Sequence, residues 1–465
     1  MHPHTRILGV LDDAELSVVL AAPDRKRGLS GRTRRAARRS APLGAILALA
    51  LIVGAGSQPA AAQTPVVRDS AGVRIVENRA PAWGPGEAWR VETEALVSIG
   101  EEDGDEAHWF IRVHDGTVLS DGTVVVAVAY WGPAGTQTFA LRYFDPEGGH
   151  LRTAGRYGEG PWEFRQPRGV HRMAGDSILV HDRNRFAVFG PRGEHGRTGL
   201  FGPVSFVDDT GLVSGATLVG VVDAPTETAS SGVRTWFRSV TLADLRTGDI
   251  DTLGVLVPSD ISFVGEGGAL PIPFGPIFRM ARPAGGQGLA WIGDPDEGKL
   301  KGFSADGTPE VIARFPPQDR VLDPELAQLW RDGPYEEWLN LNERIGMDMR
   351  RHRAYPQWDH LPSTVPAYSG LVADAIGNVW VQRYPLSSEG VGTPARDLWD
   401  IYDPTGIWQG MVEFPPEVTG CEPVEVSVLM VACDVILDIG DEYVLILHRD
   451  ALRVERVRVH RLVKP

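Results

Sequence analysis

Cysteine is almost missing from this 465-residue chain, which has two, Cys421 and Cys433. No histidine cluster sits near either thiol, so no Cys/His nucleophile and no structural zinc site can be read locally. The G-x-S-x-G, H-E-x-x-H and Walker patterns are also absent. That removes the sequence signatures of a serine hydrolase, a zinc peptidase and a P-loop enzyme. Asparagine is scarce, limited to Asn78, Asn184, Asn340, Asn342 and Asn378. Positive charge is in deficit, with 46 Lys and Arg against 61 Asp and Glu. Long apolar runs are lacking as well. The longest, Ala41 to Ala55 (APLGAILALALIVGA), falls short of the ~20 residues a spanning helix needs.

One group of cations stands early. Arg32, Arg34, Arg35, Arg38 and Arg39 precede that apolar run, and Ala60-Ala61-Ala62 follows it. A basic stretch, a short apolar stretch and an A-x-A site describe a secretory signal peptide, with cleavage predicted after Ala62. Residues 1–62 then form signal peptide and leader, and 63–465 the mature domain. The pair Arg34-Arg35 leaves a twin-arginine route open, and the length of the leader leaves the translation start open. The expected location is periplasmic or secreted, with no stable membrane anchor after cleavage. The mature chain carries 37 basic and 57 acidic side chains, a net charge of −20, which argues against nucleic-acid or anionic-membrane partners. In an oxidising compartment, two thiols twelve residues apart would most simply form one disulfide, Cys421–Cys433.

Beyond the leader a two-part unit recurs. Its first half is a Gly/Asp turn followed by an apolar strand: Ser120-Asp121-Gly122-Thr123-Val124-Val125-Val126, Gly175-Asp176-Ser177-Ile178-Leu179-Val180, and Ile376-Gly377-Asn378-Val379-Trp380-Val381. Its second half is a strand ending in an aromatic residue and a glycine turn: Tyr143-Phe144-Asp145-Pro146-Glu147-Gly148, Val188-Phe189-Gly190-Pro191-Arg192-Gly193, and Ile401-Tyr402-Asp403-Pro404-Thr405-Gly406. These turns supply the positive φ that hairpins require, and the strands are β-branched and aromatic. A unit of four short strands every ~40–50 residues predicts an all-β fold, a six-bladed β-propeller, with a β-sandwich as the competing reading. The predicted units span about 106–155, 167–205, 211–256, 275–315, 366–414 and 434–464. The N-terminal segment Val73 to Val76 is expected to complete the last unit and close the ring, removing two exposed edges.

Gly155-Arg156-Tyr157-Gly158-Glu159-Gly160-Pro161-Trp162-Glu163-Phe164-Arg165-Gln166-Pro167-Arg168-Gly169-Val170 resembles the G-x-G-P-G-E-F-x-x-P-x-G-V opening of NHL-type propeller repeats. The following Leu179-Val180-His181-Asp182-Arg183-Asn184-Arg185-Phe186-Ala187-Val188-Phe189 is similar to their V-x-D-x-x-N-x-R-I-x-V-F. It departs from the pattern at Trp162, where Gly is usual, and at Phe186. Asp69 to Asn78 and Pro366 to Asp374 also look like exported bacterial six-bladed propeller proteins. The resemblance covers nearly all of the mature chain and implies a fold, not an activity.

One stretch breaks the β pattern. Asp323-Pro324-Glu325 predicts a capped helix start. An interruption is expected at Gly333-Pro334, then a second helix to about Arg351, making a helical insert over 318–362. Its basic tail, Arg350-Arg351-His352-Arg353, reads as a solvated helix end or as a contact for an anion or partner.

For function, the sequence points to a ligand-binding or protein-interaction module whose ligand is a small molecule, carbohydrate, peptide or protein. Central-channel candidates are Arg112, Arg168, His171, Arg279 and Tyr368, each with a structural reading as an inter-blade hydrogen-bonding group. Trp162, Phe164 and Pro167 are expected to pack between blades. The enzyme alternative is a calcium-dependent lactonase or esterase of the gluconolactonase or paraoxonase type. It fits poorly, because Asn184 and Asn378 fall in turns at opposite ends of a propeller. No catalytic residue and no cofactor is assigned. Acidic turns at Glu101 to Glu106 and Asp294 to Glu297 keep Ca²⁺ open as a bound ion.

Overall fold

A computed structural model describes residues 64–465 apart from 132–136, 166, 168, 183–184, 201–209, 215–216, 224–231, 266–267, 277, 282–287, 345, 347, 355–356, 385–396, 420–434 and 451–453. The leader, Arg168 and both cysteines lie outside the described residues. The chain is mostly β, and six sheets of four or more strands follow one another along it.

Sheet I holds Arg112–Val118, Val124–Trp131, Gln137–Phe144 and His150–Ala154. Sheet II holds Gly169–Arg172, Ile178–Asp182, Arg185–Phe189 and His195–Leu200. Sheet III runs from Thr210–Ser214 through Thr217–Asp223, Gly232–Asp244 and Ile250–Gly265 to Gly268–Pro271. Sheet IV holds Met280–Ala281, Ala290–Asp294, Lys299–Phe303 and Pro309–Arg314, and sheet V holds Gly370–Ala373, Val379–Gln382, Asp397–Tyr402 and Trp408–Phe414. Sheet VI consists of Val435–Ile439, Tyr443–Arg449 and Glu455–Val463 with the early strand Arg90–Ile99 at its edge. Each expected unit thus overlaps one sheet of antiparallel hairpins, although sheet III runs on to Pro271, beyond the expected 256, and sheet VI takes its edge strand from the early chain.

The hairpins form for local reasons. In the turn between the last strands of sheet V, the Asp403 carboxylate accepts from the backbone N–H groups of Thr405 (2.8 Å) and Ile407 (3.1 Å). Gly406 then turns the chain at φ 84°, where a Cβ would also stand 2.8 Å from Val311. Glycine satisfies both demands at once. Between turns the second and third strands of sheets I, II and V bury both faces. Leu141 and Tyr143 of sheet I meet Ile178 and Phe189 of sheet II, and Trp380 and Ile401 of sheet V meet Val444 and Ile446 of sheet VI. Ile99, Val126 and Leu445 fill the space between sheets VI and I. The first strand of sheet I lies against the first strands of sheets II and VI. The first strand of sheet II touches that of sheet III, and the first strand of sheet V touches those of sheets IV and VI.

The N-terminal route differs from expectation. Val73–Glu77 does not join the final sheet. It pairs in parallel with Pro309–Arg314 at the outer edge of sheet IV, and Val66–Ser70 pairs with it in turn. The chain next passes along sheet V, where Ala82 and Trp83 donate to the carbonyls of Trp408 (2.9 Å) and Gln409 (2.7 Å). Trp89 lies near Trp83 and Trp380, with Lys464 Nζ 4.6 Å from its ring centre. Arg90–Ile99 then takes the edge of sheet VI. Val73 to Val76 and Arg90 to Ile99 are both compatible with a sheet edge. Tertiary packing decides which edge each one fills.

The insert is helical where expected. Helix α1, Pro324–Trp330, is capped by Asp323, whose carboxylate accepts from Glu325 N–H at 2.9 Å. Gly333-Pro334 does not interrupt it. The backbone widens into a π-type turn over Arg331–Tyr335 and continues directly as α2, Glu336–Arg344. The second helix ends there, and not near Arg351, and a short α3, Arg350–Ala354, follows. Tyr335, Leu339 and Met349 are buried together against Trp358.

Candidate functional site

A cavity of about 320 Å³ lies on one face of sheet II, beneath the chain segment that arrives from sheet I. Two rows of three residues make its floor. Val180 pairs with Ala187 and Ala187 with Thr198; Asp182 pairs with Arg185 and Arg185 with Leu200. Directly opposed residues share a face of the sheet, so all six point the same way. The inner positions are dry: Val180, Asp182 and Ala187 are buried, whereas Thr198 and Leu200 on the outermost strand are exposed.

Glu159 to Phe164 form the roof. Arg156–Tyr157 and Glu163–Phe164 pair in parallel, and Glu163 closes the loop by accepting from Gly160 N–H at 2.7 Å and from Arg156 Nε at 2.7 Å. These two hydrogen bonds, that of Gly160 first, hold the Glu163 carboxyl below the usual range, so it stays ionised. Phe164 is buried in the core between sheets I and II, and Pro167 is buried beside it in sequence, as their packing reading requires. Gly155 makes room at φ 75°, since a Cβ there would stand 2.5 Å from the Phe164 ring.

Trp162 does more than pack. It leans on the same core, lines the cavity and stacks on His195 with ring centres 4.4 Å apart and planes 7° from parallel. Its backbone sits at φ 56°. A bulky L-residue pays roughly 1–2 kcal/mol for that conformation, and glycine would not. The position where the resembling repeat usually carries glycine is therefore one where the backbone asks for it.

The charged groups of the cavity are unequally engaged. Glu159 pairs with Arg165 at 2.8 Å, and Glu163 pairs with Arg156. Asp182 accepts from Arg165 N–H at 2.7 Å. The side chain of Arg185, a half-buried residue, has no hydrogen bond or ion pair among the described residues, and the buried indole N–H of Trp162 has no partner either.

The sequence candidates are spread over several sheets. Arg112 is exposed at the start of the first strand of sheet I. His171 is buried in the first strand of sheet II, with its ring 6.4 Å from that of His181. Arg279 donates to the carbonyl of Ser369 at 3.1 Å and so links sheets IV and V. Tyr368 is buried beside that carbonyl, and burial, with Asp294 next, raises its hydroxyl well above the ordinary value. Arg279 and Tyr368 are brought together; Arg112 and His171 are not joined to them by any described contact. The cavity was missed because its charged and aromatic residues come from the loop arriving from sheet I and from the second and third strands of sheet II, away from the first strands. The signal available was Trp162 standing where the repeat pattern has glycine.

Among the described residues, no group of three His, Cys, Asp or Glu side chains is placed to hold a metal ion. Asn378 donates to Asp374 within its own turn at 2.8 Å, and Asn78 is committed to backbone groups of sheets IV and V.

No family model and no curated protein matches the chain. Similar solved structures include a member of the DUF4221 family from Bacteroides vulgatus, at 10% identity and TM-score 0.43, covering 82% of this chain and 99% of that one. A candidate exported protein from Bacteroides fragilis matches at 9% identity and TM-score 0.41, over 84% of this chain and 99% of the other. The calcium-binding protein regucalcin from Agrobacterium tumefaciens matches at 12% identity and TM-score 0.36, over 81% and 96%. TM-scores below 0.5 leave these likenesses silent on activity.

Proposed function

We propose that the six sheets are the blades of one closed ring, an exported NHL-like six-bladed β-propeller, and that it acts as a ligand-binding module through the sheet II cavity. Ring closure is supported by the order of contacts between first strands and by Arg90–Ile99 joining the final sheet. Export rests on the basic, apolar and A-x-A segments of the leader.

Trp162 carries the binding reading. A tryptophan at positive φ costs stability that a glycine would spare, and strain of this kind persists where a side chain has a task. The task fits the place, an aromatic wall over a small, partly apolar cavity. The test is a thermal-shift panel of organic acids, amines and neutral aromatic compounds against the mature protein, Trp162→Gly and Thr198→Trp. Compounds that raise Tm in the wild type should lose that effect in both variants, while Trp162→Gly alone keeps a Tm near the wild-type value. A panel without any shift, or shifts that persist in both variants, would remove the cavity as a binding site.

A further inference from the structure

The cavity keeps one uncommitted charge. Each carboxylate on its wall is held: Glu159 by Arg165, Glu163 by Arg156 and Gly160 N–H, and Asp182 by Arg165 N–H. Apart from the exposed Thr198 hydroxyl, the accessible group left over is the guanidinium of Arg185, a donor without an acceptor of its own. Asp182 sits directly across the ladder from Arg185, yet no ion pair joins them. A guanidinium that declines its nearest carboxylate keeps its planar fork of N–H groups for something else.

The remaining walls are Phe164, Val180 and Ala187, all buried, with Leu200 at the mouth. Such a space rejects a bare hydrated ion and favours an organic body. Its volume is at the lower end of the ~300–1,000 Å³ common for ligand sites.

We propose that the cavity binds a small organic carboxylate, its oxyanion on Arg185 and its apolar body over Phe164, Val180 and Ala187. This rests on the cavity being a binding site and adds the class of ligand. An Arg–carboxylate contact in a partly dry site is charge-assisted and can be bidentate, whereas an amide of the same shape offers one neutral acceptor.

Isothermal titration of the mature protein with phenylacetate, phenylacetamide, phenethylamine and inorganic phosphate tests the inference. Phenylacetate should bind, with phenylacetamide and phosphate at least about tenfold weaker and phenethylamine not at all. Arg185→Gln should weaken phenylacetate at least about tenfold, and Arg185→Lys should recover part of the loss. Arg185 has no partner to lose, so the folded state should survive both changes, which circular dichroism checks. Equal binding of acid and amide, tight binding of the amine, or an unchanged affinity in Arg185→Gln overturns the ligand class while the cavity stands. Phosphate binding as tightly as phenylacetate overturns the apolar body. Absence of phenylacetate binding overturns the inference outright, and the thermal-shift panel then decides separately whether the cavity binds anything.

Discussion

The side-chain carbonyl of Asn78 accepts a hydrogen bond from the backbone N–H of Trp408 at 2.9 Å, 330 residues away in sequence. The amide nitrogen of the same side chain donates to the carbonyls of Arg314 and Gly406, each at 3.0 Å. One buried amide therefore ties the N-terminal segment to the edge of sheet IV and to a hairpin of sheet V. The segment from Val66 to Ile99 then runs as a belt past sheets IV, V and VI, pairing with the first and last and crossing the second through Ala82 and Trp83.

Asn78→Ala should therefore destabilise the protein by about 2–3 kcal/mol, because the Gly406 carbonyl and the Trp408 N–H lose their side-chain partner, while the Arg314 carbonyl keeps the Asn78 backbone N–H. Urea unfolding measures this, and a loss under about 0.5 kcal/mol would contradict the clamp. Removing residues 64–88 should lower stability but leave sheet VI paired. Extending the deletion through Ile99 exposes the Glu455–Val463 edge, and that protein should aggregate. Equal behaviour of the two truncations by size-exclusion chromatography would refute the belt.

Asp115 is buried in the first strand of sheet I, and its carboxylate accepts from Val170 N–H in sheet II at 2.8 Å and from Gly116 N–H at 2.9 Å. Asp438 plays the matching part between sheets VI and I, accepting from Thr117 Oγ1 at 2.7 Å and Tyr443 Oη at 2.8 Å. Asp115→Ala should cost about 2–3 kcal/mol by leaving two N–H groups unpaired, and Asp115→Asn less, since one carbonyl acceptor remains. Chemical denaturation that ranks the two variants the other way would show that a hydrogen-bond acceptor is not what Asp115 contributes.

Asp306, in the turn between the last strands of sheet IV, accepts from Ser304 Oγ at 2.6 Å and Thr308 N–H at 3.0 Å. These bonds, that of Ser304 first, lower its pKa from 3.8 to about 2. A folded-state value below the unfolded one means that ionised Asp306 stabilises the fold above about pH 3.8. The contribution is lost as pH falls through about 2. Carboxyl NMR titration should place its midpoint near 2, and Ser304→Ala should raise it. A midpoint near 4 in the wild type would show that the turn does not hold the carboxylate.

Much of this protein was legible in order of sequence. The Asp-Gly and Asp-Pro-x-Gly turns and the β-branched strands between them act over a few residues, so the position of each sheet and the Asp323 cap of α1 follow from local chemistry. The break expected at Gly333-Pro334 failed for the opposite reason. Burial of Tyr335, Leu339 and Met349 against Trp358 holds the helices together, and a π-type turn absorbs the local misfit.

What the sequence alone determined was where strands begin and end and which of their faces are apolar. It could not say which edge the belt strands fill, because alternation specifies a face and leaves the partner open. Nor could it single out Arg185 and Trp162. Their standing depends on which nearby acceptors are already taken: Asp182 by Arg165 N–H, Glu163 by Arg156 and Gly160, Glu159 by Arg165. That tally exists only once sheet II and the loop arriving from sheet I are folded against each other, since hydrogen bonds are settled by distance in space and not by spacing along the chain.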